Sequence, residues 1–268
     1  MAAPRQVKCT LEDAGFLGDF HCSDHAGPRP GVLVIGGSDG GLRYASAISQ
    51  DLAENDLPSL GVAYHNAPGL PESLSCIPLE YFKCALTWLA NRPEVNPTRV
   101  VVMGASRGSE AALLSALYFS ELVAGVVALV PGNVVLCSWP PGAPAWTLDG
   151  EPLPYTSQFG PTCDNENAVI PVERIELPLL LLSAGRDGVW PSSAMAEAIV
   201  RRRDAFALGE HDTWIDLPFS GHRVSPAGRA REAPAAEGSG YLPEDHEAAV
   251  RAWGELVRFV QTVPQRPA

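Results

Sequence analysis

Short, β-rich apolar runs alternate along the chain with segments whose apolar residues recur every three to four positions. "GVLVIGG" (31–37) is apolar, β-branched and closed by glycine, the pattern of a strand covered on both faces. In "GLRYASAISQDLAEND" (41–56), Leu42, Ala45, Ile48, Leu52 and Ala53 share one face of a helix. "PSLGVAYHNAP" (58–68) predicts a second strand ended by turn residues, and 78–91 a helix with Leu79, Phe82, Leu86 and Leu89 on one stripe. The alternation continues with a strand at 99–106, a helix at 107–119 and strands at 123–132 and 177–187. A helix at 192–203, a strand at 213–222 and a closing helix at 244–262 complete it. The first 28 residues predict a short antiparallel lead-in. Continuous apolar strands separated by helices imply an α/β fold, a mostly parallel central sheet with helices on both faces. Ligands of such sheets sit beyond the carboxyl ends of the strands.

Two stretches break the rhythm. Residues 133–176 hold Trp139, Trp146 and prolines 140, 141, 144, 152, 154, 161 and 171, with weak periodicity. Loops this long are usually functional, so a cap-like insertion beside the site is expected. Residues 223–243, rich in Ala, Gly, Pro and Arg, predict a surface loop. No linker composition divides the chain, and residues 1–268 are expected to form a single domain.

Hydrophobic residues make up 46% of the chain, enough for a substantial core, and the net charge is −12. That acidity disfavours nucleic acid and anionic membranes as partners. No apolar stretch approaches the ~20 residues of a membrane span. The N-terminal residues lack the apolar run of a secretory signal, and "QRPA" is no retention or peroxisomal tripeptide. Six scattered cysteines without a Cys-x-x-Cys pair suit reduced thiols, so a cytoplasmic protein without a metal site is expected.

The candidate chemistry centres on "VVMGASRGSEAALL" (101–114), where a strand meets Gly104-Ala105-Ser106-Arg107-Gly108 and becomes a helix. Gly-x-Ser-x-Gly in strand–turn–helix context is a nucleophile elbow. The helix beginning at Arg107 aims N–H groups and a positive dipole end at the serine oxygen. A serine hydroxyl needs a base, and this architecture draws an acid and then a histidine from later strand ends. Asp187 ends "LLLLSAGRD" and His222 ends "TWIDLPFSGH", on the same edge of the sheet as Ser106. Among the other histidines, His21 and His25 precede the first core strand, His211 begins the last strand, and His246 lies on the closing helix. His65 follows a strand ending on the correct side and stands as an alternative base or a pocket-wall residue. An oxyanion hole needs two amides: that of Arg107, and one from "GGSDGG" (36–41), with Ser38 preferred and Gly37 and Asp39 as alternatives. That loop has neither Rossmann spacing nor a P-loop lysine, so no nucleotide cofactor is expected.

These residues resemble the C-terminal α/β-hydrolase domain of the acyl-CoA thioesterase and bile acid-CoA:amino acid N-acyltransferase family. The resemblance runs from about residue 30 to about 262. It rests on "PGVLVIGGSDGGL", "LGVAYHNAPGLP" and "GASRGSEAALL", which is similar to the family's Gly-x-Ser-Lys-Gly-x-Glu. It continues through "AVIPVERIELPLLLLSAGRDGVW" and "FSGHRVSP". The family's triad falls on Ser106, Asp187 and His222. The resemblance implies a serine hydrolase that cleaves a small-molecule acyl thioester through an acyl-serine. A carboxylesterase or lactone hydrolase, and an acyltransferase to an amine or alcohol, are the alternatives. Serine resembles the hydrolytic branch, since the transferases are similar but use cysteine. Arg107 stands where lysine is common; members often carry an N-terminal β-sandwich domain, and about 30 residues precede the first core strand in this sequence. Arg201-Arg202-Arg203, and Arg223 with Arg229 and Arg231, are the visible basic clusters for coenzyme phosphates. Trp139, Trp146 and Trp190 are candidate walls of an acyl pocket.

Overall fold

In the computed structural model the described residues are 3–24, 27–160, 163–223 and 243–266, with side chains from 248 onward in the last stretch. The predicted lead-in is an antiparallel pair, β1 (Arg5–Cys9) and β2 (Leu17–Cys22), joined across α1 (Leu11–Ala14). The alternating part follows as β3 (Arg29–Ile35), α2 (Arg43–Ala53), β4 (Ser59–Ala63), β5 (Ile77–Pro78) and α3 (Glu80–Ala90). Then come β6 (Val95–Ala105), α4 (Arg107–Tyr118) and β7 (Gly125–Leu129). Short strands β8 (Trp146–Leu148) and β9 (Glu151–Pro152) precede β10 (Leu179–Ala184), α5 (Ser192–Ala205), β11 (Thr213–Leu217) and α6 (Pro243–Thr262).

The main sheet has eight strands in the order β1-β2-β4-β3-β6-β7-β10-β11. β2 meets β4 antiparallel, and every pairing from β4 to β11 is parallel. Strand residues alternate between two cores, as a sheet covered on both faces requires. Leu33, Ile35, Val100, Val102, Val126, Leu179 and Leu181 pack with α3, α4 and the inner face of α5. Val32, Val34, Val101, Met103, Val127, Leu180 and Leu182 pack with α2 and α6. The stripes on α2 and α3 are buried at Ala45, Ile48 and Leu52, and at Phe82, Leu86 and Leu89.

Boundaries moved where backbone chemistry overrode composition. The strand predicted to 222 stops at Leu217, because Pro218 has no N–H for a ladder. β6 starts earlier than predicted, since Val95 and Asn96 pair with Arg29 and Pro30 before a register shift at Pro30/Gly31. The surface loop predicted at 223–243 lies, from 224 to 242, outside the described residues, as do Pro161, Arg229, Arg231 and His25.

Within 133–176, Leu136, Cys137 and Trp146 meet Arg107 and Glu110 of α4. β8 pairs with β9 and with β5 in a separate three-stranded sheet, and isolated bridges join Val134 to Val169 and Leu136 to Thr156. The arginine run at the end of α5 is bound up in structure. Arg203 is buried, pairs with Asp212 and donates to the carbonyls of Val172, Ile175 and Leu177. Arg202 forks onto Glu173, and Arg201 pairs with Glu197 on its own helix. The first two therefore fasten the Pro171-Val172-Glu173 turn to α5 instead of facing a phosphate. Breaking a buried pair leaves an uncompensated charge, so Arg203→Ala should cost about 3–5 kcal/mol. Urea unfolding checks this; a loss under about 1 kcal/mol, the scale of a surface pair, would contradict it.

Candidate active site

The elbow forms because nothing larger than glycine fits around it. A Cβ on Gly104 would collide with the Gly108 carbonyl, and one on Gly108 with the carbonyls of Ile35 and Gly36. The turn thus presses α4 against β3 and β6. Ser106 takes φ 55° and ψ −123°, an uncommon conformation for a residue with a side chain. Its amide donates to the Leu129 carbonyl on β7 at 3.0 Å, which anchors the turn. Arg107 is the first residue of α4, so its N–H has no acceptor within the helix.

Ser106, Asp187 and His222 come together from three loops. Ser106 Oγ lies 2.9 Å from His222 Nε2, and His222 Nδ1 lies 2.9 Å from both Asp187 carboxylate oxygens. The Asp187 side chain is only 1% exposed, and it accepts the amides of Val189 at 2.9 Å and Trp190 at 3.2 Å. Burial pulls its carboxyl upward, but the His222 imidazole, the Val189 amide and the Ser192 hydroxyl outweigh it and hold it below the usual carboxylate range. Trp190 meets the His222 ring edge-on at 5.0 Å between centroids, its N–H on the Val130 carbonyl, and Phe159 stacks on its far side at 6.3 Å. This contact on His222 was not visible in the sequence. Asp187 fixes an Nδ1–H tautomer, so Nε2 is left to accept the Ser106 proton.

The other candidates sit elsewhere. His65 is buried, with Nε2 3.2 Å from the Ser38 carbonyl, so it holds the 36–41 loop and does not face Ser106. His21 bonds Ser49 in the core, His211 lies in a turn before β11, and the His246 side chain is outside the described residues. In the loop, Gly37 packs directly on Ser106; a Cβ there would lie 3.1 Å from Ser106 Cβ. Ser38 follows it. Arg223 is exposed next to His222. Trp139 is 49% exposed, whereas Trp146 is fully buried and is no pocket wall.

Trp146 belongs instead to a buried charge network whose role the sequence did not reveal. Arg107 and Glu110, 2% and 0% exposed, approach at 2.7 Å as an ion pair off the hydrogen-bond angle. Arg107 donates to the carbonyls of Leu136 and Cys137 at 3.0 and 2.8 Å. Glu110 accepts the Trp146 indole N–H at 3.0 Å and the Leu136 amide at 3.1 Å. Burial raises the Glu110 carboxyl, opposed by Arg107, Trp146 and Leu136. The pair bolts residues 136–146 onto the helix that carries the elbow. Its signal was available: an Arg and a Glu three apart on an otherwise small and apolar helix.

Among the described residues no helix is long and apolar enough to cross a membrane, and no group of three His, Cys, Asp or Glu is placed to hold a metal. All six cysteines are free.

The family model described as "BAAT / Acyl-CoA thioester hydrolase C terminal" matches residues 77–138, which include the elbow. The mouse "Acyl-coenzyme A thioesterase 2, mitochondrial" is 30% identical over 254 residues, 87% of this chain and 55% of the relative. The human "Acyl-coenzyme A thioesterase 1" is 28% identical over 221 residues, 75% of this chain and 50% of the relative. The chain thus spans about half the length of the curated relatives it matches. Among solved structures, a dienelactone hydrolase-like promiscuous phosphotriesterase from metagenomic libraries superposes with a TM-score of 0.63 at 17% identity, covering 98% of this chain and 99% of that one. An alpha/beta hydrolase enzyme from a Medee basin deep-sea metagenome library gives 0.64 at 16% identity, covering 98% and 99%. At these identities the structural likeness establishes the α/β-hydrolase fold.

Two stability outcomes follow from the site. Glu110→Ala leaves Arg107 charged and buried, and should cost about 3–5 kcal/mol in urea unfolding; an unchanged midpoint would show the pair to be dispensable. Asp187 has a folded pKa below its unfolded value, near 3.9. Its stabilisation is therefore complete above the unfolded value and is lost as pH falls through the folded one. The stability gap between wild type and Asp187→Asn should be largest above about pH 5 and close in acid. A gap independent of pH would contradict this.

Proposed function

The chain is a relative of the acyl-CoA thioester hydrolases over their C-terminal region, and from that premise we propose that it is a serine-dependent acyl thioester hydrolase. The observation that carries the reading is the hydrogen-bonded line from Ser106 Oγ through His222 to Asp187. Ser106 attacks the acyl carbonyl carbon while His222 Nε2 takes its proton. The carbonyl electrons move to an oxyanion held by the amides of Ser38 and Arg107. Collapse breaks the carbon–sulfur bond, and His222 returns the proton to the leaving thiolate. Water, deprotonated by the same imidazole, then releases the acid from the acyl-serine. Asp187 holds the tautomer and stabilises the imidazolium throughout.

In this reading residues 1–268 act as one domain, and 133–176 are the insertion that walls the site from the α4 side. Trp190, buried with Phe159 stacked on it, backs the His222 ring. The substrate is a small-molecule acyl thioester. The compartment proposed is the cytoplasm, from the scatter of the six cysteines along the sequence.

The decisive assay measures thiol release from a panel of acyl-CoAs beside aryl-ester hydrolysis, with wild type and Ser106→Ala. Wild type should release thiol, and the variant should lose at least about 10³-fold in kcat. Equal rates in both would remove the nucleophile assignment. Ester turnover without thiol release would make the protein an esterase or lactone hydrolase. Acyl appearing on an added amine or alcohol in place of free acid would make it a transferase.

A further inference from the structure

Just past β4 the chain runs Tyr64-His65-Asn66, and all three side chains reach the main chain of the 36–41 loop. The Tyr64 hydroxyl donates to the carbonyls of Gly36 at 2.9 Å and Gly37 at 3.2 Å. His65 Nε2 lies 3.2 Å from the Ser38 carbonyl. Asn66 Nδ2 donates to the Asp39 carbonyl at 3.1 Å, and the Gly41 amide donates back to the His65 carbonyl at 2.9 Å. Four consecutive carbonyls are thus gathered by three consecutive side chains. Tyr64 and His65 are buried, while Asn66 is exposed.

Peptide geometry turns this into a statement about amides. In a planar trans peptide the C=O of one residue and the N–H of the next point in opposite directions. Drawing the Gly36 and Gly37 carbonyls to the Tyr64 hydroxyl therefore turns the Gly37 and Ser38 amides away from it. Drawing the Ser38 carbonyl to His65 does the same for the Asp39 amide. The loop's other neighbour is the nucleophile: a Cβ at Gly37 would lie 3.1 Å from Ser106 Cβ and 3.6 Å from its Oγ. To donate to a carbonyl, His65 must carry its proton on Nε2. Its Nδ1 is buried with no hydrogen-bond partner, which suits a bare nitrogen better than a buried N–H.

We propose that Tyr64 and His65 are positioning residues for acyl transfer at Ser106: by pinning the carbonyls of Gly36, Gly37 and Ser38, they aim the loop amides at the developing oxyanion. The inference rests on the serine-hydrolase reading above. It adds a cause for the loop's competence that lies in a different element, the end of β4, two places in the sheet from β6 and five from β11. Preorganised donors stabilise charge that appears only in the transition state, so their misplacement lowers kcat and leaves ground-state binding nearly untouched. A displacement near 1 Å is worth on the order of 10²-fold in rate.

The test uses p-nitrophenyl butyrate, an activated ester that carries no coenzyme to bind, so that recognition of a thioester's coenzyme does not enter. Tyr64→Phe removes one hydroxyl, His65→Leu removes the donor, and His65→Gln supplies an amide N–H in its place. Tyr64→Phe and His65→Leu should each lower kcat roughly 10- to 100-fold with KM within about twofold. Inhibition by an alkyl trifluoromethyl ketone, whose serine adduct carries the oxyanion, should weaken by the same factor. His65→Gln should recover most of the loss. A kcat and ketone affinity at wild-type level, a rise in KM alone, or losses that merely track the folded fraction in thermal melts would each overturn the proposal. Should His65→Leu fail to fold, Tyr64→Phe decides the matter alone. Ser106→Ala runs in parallel: full ester turnover in that variant would sink the serine-hydrolase reading itself, a failure distinct from wild-type kinetics in the two positioning variants.

Discussion

Everything at the candidate site depends on a backbone conformation that costs energy. Ser106 sits at φ 55° in a turn with no room for side chains at Gly104 and Gly108. A non-glycine residue there carries about 1–3 kcal/mol of strain, and it persists only where its surroundings over-determine it. Here the surroundings are two central parallel strands and a helix buried from Arg107 to Ala116. The Ser106 amide is fixed on β7, and the Gly108 main chain is wedged against the end of β3. The hydroxyl is thereby held above the sheet, free of any strand or helix ladder. The close contact that excludes a Cβ at Gly108 also brings the end of β3, and so the 36–41 loop, against the elbow.

A second constraint is electrostatic. The chain is strongly acidic, yet among the described residues Arg107 and Arg203 are buried, each against one carboxylate and two or three carbonyls. Arg107 with Glu110 ties the elbow helix to residues 136–146. Arg203 with Asp212 ties α5 to the turn at 172–177 that leads into β10. Such pairs add little net stability over apolar packing, but removing either partner is costly. Their effect is on uniqueness: an irregular, proline-rich segment with few ladder bonds of its own is given one seat on the sheet's helical layer.

The sequence was informative wherever candidate chemistry and periodicity coincided. Ser106, Asp187 and His222 each stand where an apolar run meets a turn, and that coincidence selected them before any distance was known. It failed where a residue acts through a partner remote in sequence. Arg107 entered as an amide donor on the elbow pattern, yet nothing in the spacing said that its guanidinium reaches the carbonyls of Leu136 and Cys137. Trp146 was a candidate pocket wall that burial would explain equally well; it is fully buried, and its indole N–H satisfies Glu110. The arginine run on α5 stood as a basic cluster because charge in one dimension carries no burial; its guanidinium groups turned out to pair with Glu173, Glu197 and Asp212. Strand ends were misjudged at Pro218, where hydrophobicity continued but the ladder had lost a donor.

Sheet spacing explains why the three side chains meet without a long arm. Neighbouring strands lie about 4.8 Å apart, so the end of β10 stands two spacings, roughly 10 Å, from the end of β6. β11 is one spacing further. Asp187 is reached within a short turn after β10, whereas His222 lies beyond Pro218 and must come back toward the sheet centre. The turn that returns it is tied to its neighbour by the Arg186 amide on the Ser220 carbonyl at 2.9 Å. One Ser–His hydrogen bond, worth about 0.5–1.5 kcal/mol net, is too weak to draw elements together over such a span. The parallel ladders β6-β7-β10-β11 fix the distance, the 185–187 and 218–222 turns fix the reach, and the hydrogen bonds only select the final rotamers. The meeting of the three side chains therefore belongs to the strand order as much as to the residues themselves.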